Sequence, residues 1–90
     1  MNAETTTFTV NNWTITITGN KRMHFVNIEQ RDDIAANLTW EDNQVKVAPR
    51  LLSSMTVDEA NDYAVQISIA ADVALKITEQ VKEIIGKLPA

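Results

Sequence analysis

The 90-residue sequence has no cysteine and only two glycines and two prolines. Without cysteine the chain forms no disulfide bond and no thiolate metal site, which suits a reducing compartment and predicts a cytoplasmic location. No apolar run is long enough to span a membrane, and we expect no signal peptide. The glycines and prolines all fall where we predict an element to turn or end, at Gly19, Pro49, Gly86 and Pro89.

Basic residues are also few, with eight Lys and Arg against 12 Asp and Glu and a formal net charge of −4. The basic residues are scattered, whereas a nucleic-acid-binding surface normally clusters them, so nucleic acid is not an expected partner. The negative charge is too small for a protein that imitates DNA. With 44% apolar and 22% charged residues, residues 1–90 are expected to form a single globular domain.

Apolar and polar residues alternate through the first half of the chain, which predicts an antiparallel β-meander. A one-residue shift in any strand would move its apolar side chains to the opposite face, so the shared pattern fixes the faces. The strands are expected at about 5–10, 13–18, 23–30, 34–40 and 45–48.

Two turns predict how the first three strands pair. A two-residue loop at Asn11-Asn12 pairs Val10 with Trp13, Phe8 with Ile15 and Thr6 with Ile17. A turn at 19–22 then predicts that Ile17 meets His24, Ile15 meets Val26 and Trp13 meets Ile28.

The second half of the chain predicts one helix over about 57–87. Thr56 and Glu59 have the spacing of a capping box, and Gly86 and Pro89 are typical of a helix end. The expected fold class is therefore α+β: a five-stranded antiparallel β-meander followed by one long C-terminal helix packed on one face.

This helix is too long and too apolar for the expected sheet. At about 1.5 Å per residue it is about 45 Å long, whereas six-residue strands span roughly 20 Å. We expect the C-terminal end to extend past the sheet, unless the helix kinks or the 50–55 segment covers its outer side. A homo-oligomer, most simply a dimer, would cover the excess through Val65, Ile69, Val73, Val81, Ile84, Ile85 and Leu88.

The sheet face turned away from the helix is expected to be rich in threonine and poor in charge. Threonine forms strands well, so a solvated surface explains this pattern. The alternative is a face that binds an unidentified protein partner. Its candidate residues are Thr7, Thr14, Thr16, Met23 and Phe25.

No residues with the spacing of a catalytic, cofactor or metal site are evident. His24 is the only histidine, and no nucleophile is spaced to lie beside it. The carboxylate pairs Asp32-Asp33 and Glu41-Asp42 fall in predicted turns. We therefore expect a protein that is not an enzyme and uses no cofactor.

The helix pattern Thr56-x-x-Glu59-Ala60, continuing to Ala70-Ala71-Asp72-x-Ala74, resembles the C-terminal helix of many short uncharacterised bacterial and phage proteins. That resemblance implies a phage or mobile-element origin and no known activity. The predicted layout is similar to that of the single-stranded-DNA-binding coactivator family. The expected function is a non-enzymatic protein–protein interaction module that self-associates through its helix, and the alternative is a single-stranded nucleic-acid-binding protein.

Overall fold

A computed structural model describes residues 4–29, 36–50 and 54–90. It confirms the predicted α+β class, with antiparallel strands followed by one long C-terminal helix. The ends predicted for the third and fourth strands, at 30 and 34, lie outside the described residues. The elements are β1 (Glu4–Val10), β2 (Trp13–Gly19), β3 (His24–Glu29), β4 (Ala36–Glu41), β5 (Gln44–Pro49) and α1 (Val57–Gly86).

The five strands form two sheets rather than one continuous meander. One sheet has the order β1-β2-β3, and the other consists of β4 and β5. Strands β3 and β4 lie close to each other, but no ladder of hydrogen bonds joins them within the described ranges. The helix therefore packs against two separate sheets.

The β1–β2 hairpin has the predicted register, with Val10 opposite Trp13 and Phe8 opposite Ile15. Asn11 adopts a φ of 53°, a left-handed conformation that asparagine tolerates better than most residues. The short loop thus fixes the faces of both strands as the sequence predicted.

The predicted β2–β3 register is wrong by two residues, because β2 continues to Gly19, which pairs with His24. The Asn20 side-chain oxygen accepts hydrogen bonds from the backbone N–H groups of Arg22 and Met23, at 3.0 and 2.8 Å. Gly19 has a φ of +127°, and a Cβ there would collide with the Met23 carbonyl oxygen. Since the shift is an even number, the apolar faces are unchanged.

The β4–β5 hairpin turns through Asp42 and Asn43, which both have positive φ, as a type I′ turn requires. It places Trp40 opposite Val45 and Leu38 opposite Val47. The apolar side chains of this sheet consequently share the face that meets the helix.

The helix begins with the predicted capping box. The Glu59 N–H donates to Thr56 Oγ1 at 3.1 Å, and the Thr56 N–H donates to Glu59 Oε1 at 3.0 Å. One turn later, the Tyr63 hydroxyl donates to the Arg50 carbonyl oxygen at 3.1 Å. The helix then runs for 30 residues as a single element, so no break folds one end back on the sheets.

The core lies between the two sheets and the C-terminal half of the helix. At its edge, Thr78 Oγ1 donates to the Ala74 carbonyl oxygen and accepts from the Val45 N–H of β5, at 2.8 and 2.9 Å. Beyond the helix, the Lys21 N–H donates to the Pro89 carbonyl oxygen at 2.9 Å. The buried residues are Val10, Trp13, Ile15, Ile17, Ala36, Leu38, Ala70, Val73, Ala74, Ile77, Val81 and Leu88.

The end of the helix that extends past the sheets is the N-terminal end, not the C-terminal end that the sequence led us to expect. Residues 57–69 contribute no fully buried residue, whereas 70–88 contribute six. In the first half Tyr63 and Ile67 are partly buried, and Ile67 packs against the core. The sheet-facing positions of the C-terminal half include the aliphatic Ile77 and Val81, whereas those near the start include Ala60, which has little apolar surface to bury, and Tyr63, whose hydroxyl needs a hydrogen-bond partner.

Candidate functional site

The projecting half of the helix, residues 57–69, gives the molecule its elongated shape. The principal extents are 54, 21 and 19 Å, and the radius of gyration is 15.2 Å. A compact domain of this length would have a radius of gyration of about 12 Å. The projecting half is therefore a rod whose outer side is open to solvent, while Tyr63 and Ile67 on its inner side are partly buried.

Several large apolar side chains on the outside of the helix are exposed. Exposed aliphatic groups of this size are normal when single, but a group of them on one helix indicates an interaction surface. Their exposed fractions are 77% for Val57, 56% for Val65, 46% for Ile69 and 61% for Leu75.

The seven residues predicted to form an oligomer interface divide into two groups. Val65 and Ile69 are exposed and remain candidates for an interface. Val73, Val81 and Leu88 are buried, and Ile84 and Ile85 are partly buried and pack against the same core. These five side chains are covered by the chain's own strands, so the predicted interface is corrected to the exposed side of the helix.

The predicted interface omitted Val57 and Leu75, the two most exposed apolar residues of the helix. The sequence does indicate that Val57 and Leu75 are exposed, through their positions around the helix. At about 100° per residue, both lie about 160° around the helix from Ile77, which is at the centre of the buried face. They are therefore on the side that the sheets cannot reach.

The Thr-rich face of the three-stranded sheet is the second exposed surface. Thr5 pairs with Thr18 and Thr7 with Thr16, with hydroxyl oxygens 3.4 and 3.5 Å apart. The predicted residues Thr7, Thr14, Thr16 and Phe25 lie on this face, as the register requires. The Thr-rich sides of β1, β2 and β3 thus form one continuous surface, as predicted.

Two large apolar side chains stand at one end of the Thr-rich face. Phe25 is 70% exposed and lies beside Thr18, while Met23, 68% exposed, lies in the preceding turn. At the opposite end, Glu29 lies beside Thr14 and accepts a hydrogen bond from the Asn27 amide at 3.4 Å. The strand positions of this surface therefore offer apolar and hydroxyl groups and one carboxylate, and its basic neighbours are confined to Lys21 and Arg22 of the turn.

The residues considered for chemistry have structural partners. His24 Nδ1 lies 3.1 Å from the Asn20 carbonyl oxygen at the β2–β3 turn. Glu41 and Asp42 lie 3.6 and 2.9 Å from Lys46 Nζ, and the hydrogen bond to Asp42 raises the pKa of Lys46. Among the described residues, no three His, Cys, Asp or Glu side chains form a group suited to a metal ion. The pair Asp32-Asp33 lies outside the described residues.

No protein-family model, curated protein or solved structure matches the chain. The resemblance of its helix to those of short bacterial and phage proteins therefore stays a prediction. Within residues 4–29, 36–50 and 54–90, no helix combines the length and apolar character needed to cross a membrane.

Proposed function

We propose that this chain is a non-enzymatic interaction module that forms a homodimer through the exposed outer side of its helix. The observation that carries this proposal is the exposure of Val57, Val65, Ile69 and Leu75 along a single unbroken helix. Protein–protein contact is the function that an exposed apolar helix surface supports best.

The energies favour a dimer that dissociates on dilution. Burying a large aliphatic side chain contributes about 1.5–3 kcal/mol relative to full exposure. Weighted by their exposed fractions, complete cover of the four side chains would contribute about 5 kcal/mol per chain. Association costs roughly 4–15 kcal/mol in lost freedom of motion, so we expect moderate affinity rather than a permanent dimer.

The alternative of single-stranded nucleic-acid binding has less support. Such proteins combine stacking aromatic residues with a positively charged groove. Phe25 is exposed on the Thr-rich face, but the strand positions of that face hold the carboxylate of Glu29 and no cation, and the nearest basic residues are Lys21 and Arg22 of the preceding turn. Lys46, on the other sheet, is engaged with Glu41 and Asp42.

The Thr-rich face is the proposed site for a second protein partner. Phe25 and Met23 provide exposed apolar groups, and the threonine hydroxyls provide hydrogen-bonding groups around them. Interfaces commonly combine aromatic and methionine side chains with neighbouring polar groups. This surface is separate from the projecting half, so a dimer would still present it.

A cytoplasmic location and a phage or mobile-element origin form part of the proposal. The sequence contains no cysteine, as suits a reducing compartment. The likeness of its helix to helices of short phage proteins supports the origin. Genes flanking the coding sequence test this directly, since a neighbourhood of chromosomal housekeeping genes would contradict it.

Paired substitutions on the two surfaces test the homodimer. Val65→Lys with Leu75→Lys introduces charge on the exposed outer side of the helix while retaining residues that form helices well. We expect this double variant to have the molar mass of one chain by light scattering, at concentrations where the natural chain is a dimer. The matched control, Met23→Lys with Phe25→Lys, should remain dimeric. A dimeric helix variant or a monomeric control would overturn the proposal.

A further inference from the structure

The outer side of the helix carries a regular row of residues that the packing of the core does not use. Its members follow one another at spacings of four, three, four, three and four residues, which is the spacing of the contact positions in a coiled coil. All six are exposed. We call this row the outer seam; it consists of Val57, Asn61, Ala64, Ser68, Ala71 and Leu75.

The outer seam lies opposite the face that packs on the sheets. Ser68 is nine residues before the buried Ile77, which places it about 180° around the helix. The sheets therefore leave the seam open along its whole length of about 27 Å, including Leu75 at the level of the core. Val65 lies about 60° around the helix from Ser68 and widens the apolar surface of the seam, whereas Ile69 lies about 100° from Ser68 on the side of the helix.

From this arrangement we infer that the homodimer is an antiparallel pair of helices joined along the outer seam. This inference rests on the proposed self-association and specifies its geometry. A two-fold symmetric interface must be self-complementary, because the same surface is used by both chains. Read backwards, the seam matches itself: Val57 faces Leu75, Asn61 faces Ala71 and Ala64 faces Ser68 of the second copy.

The sizes of the side chains favour this match. The larger apolar groups lie at the two ends of the seam, where Val57 of each copy meets Leu75 of the other. The middle holds Asn61, Ala64, Ser68 and Ala71, of which the last three are small enough for the helix axes to approach closely, to about 8 Å. At that separation, Val65 would also be drawn into the contact from the flank.

Charge opposes the parallel arrangement. The first turn of the helix contains Asp58 and Glu59, and Asp62 follows one turn later. Parallel helices would place both acidic starts and both positive dipole ends side by side, which costs free energy. In the antiparallel pair, the two acidic starts are at opposite ends, and each positive dipole end lies towards the negative end of the partner's helix.

Disulfide cross-linking tests the direction and the register, because the chain has no cysteine of its own. Two single variants are needed, Asn61→Cys and Ala71→Cys, both at exposed positions of the seam. Bridged cysteines require Cα atoms within about 7 Å. In the antiparallel pair, residue 61 meets residue 71, whereas the two copies of residue 61 are about 15 Å apart along the axis.

We expect oxidation of the mixed variants to give a two-chain disulfide product, while each variant alone remains a single chain under the same conditions. A disulfide dimer of Asn61→Cys alone would show parallel helices and overturn the inference. Sedimentation of the reduced variants shows whether the chains self-associate at all, separately from whether they do so in the antiparallel register. A non-covalent dimer that gives no mixed disulfide overturns the antiparallel register only, and a monomer at every concentration overturns the proposed homodimer itself.

Discussion

The two halves of α1 differ in what covers them. Residues 70–86 lie against both sheets, with Ile77 and Val81 completely buried, whereas residues 57–69 contain no fully buried residue and contact the core only through the partly buried Ile67. Both halves are helical, and both carry apolar side chains on more than one side. Helix formation and burial are therefore separate outcomes. The capping box and a run of residues with good helix propensity determine the length of the helix, whereas the strands determine how much of it is covered.

The largest expected effect comes from deleting a buried side chain on the packed half. Ile77→Ala should lower the free energy of unfolding by about 2–5 kcal/mol, because Ile77 is completely buried between the sheets. Its match on the outer side is Ile69→Ala, for which we expect about 1 kcal/mol or less in dilute solution. Urea denaturation measures both values.

If Ile77→Ala does not fold, Ile77→Val keeps the comparison measurable, with an expected loss of about 0.5–1.5 kcal/mol. Equal losses at positions 69 and 77 in dilute solution would contradict the division of the helix into covered and uncovered halves.

A smaller effect is expected where the packed half is joined to β5. Thr78→Val keeps the shape of the side chain but leaves the partly buried Val45 N–H without its acceptor. An unsatisfied donor of this kind costs about 1–3 kcal/mol. The control Thr78→Ser retains the hydroxyl and should lose clearly less stability in the same denaturation experiment. Equal losses for Val and Ser would show that the hydrogen bond does not hold β5 to the helix.

The features that sequence alone predicted are those set by neighbouring residues. The capping box, the β1–β2 register and the faces of the strands follow from local spacing and period-two alternation. The β2–β3 register was missed because it depends on Gly19 reaching a φ of +127° and on Asn20 closing the turn. Alternation alone allows a shift of two residues, since such a shift keeps every side chain on its face.

The candidate site was predicted less well, because exposure depends on where the helix lies over the sheets. Val65 and Ile69 were identified from their position opposite the main apolar stripe, and they are exposed. Val81 and Leu88 were assigned to the uncovered end, although they are buried. Which end of the helix projects is decided by tertiary packing alone. The division of the strands into two sheets is likewise not determined by the alternation of apolar and polar residues.

The capping box offers a local test of the projecting half. Thr56→Ala removes the acceptor for the Glu59 N–H and should cost about 1 kcal/mol of helix stability. Because no residue of 57–69 is fully buried, we expect amide hydrogen exchange to become faster there and to stay unchanged at 70–86. Faster exchange along the whole helix would show that the two halves unfold as one cooperative unit.

Acidification should destabilise the N-terminal end of the helix, and we expect this effect to be the smallest of those predicted. The hydrogen bond donated by the Thr56 N–H lowers the pKa of Glu59. The resulting stabilisation is present above about pH 4.3, the ordinary value for glutamate, and is lost as the pH falls through the lower folded value. Glu59→Gln keeps an acceptor that does not titrate, so its helicity by circular dichroism should change less over this range. If helicity changed equally with pH in the natural chain and in Glu59→Gln, the Glu59 carboxylate would not stabilise the start of the helix.

Sedimentation equilibrium of the natural chain over a dilution series measures whether the helix joins two copies of the chain. We expect a molar mass that rises from the 10.0 kDa of one chain towards twice that value as the concentration increases. A mass of one chain at every concentration would show that the outer side of the helix stays uncovered and that the chain does not self-associate.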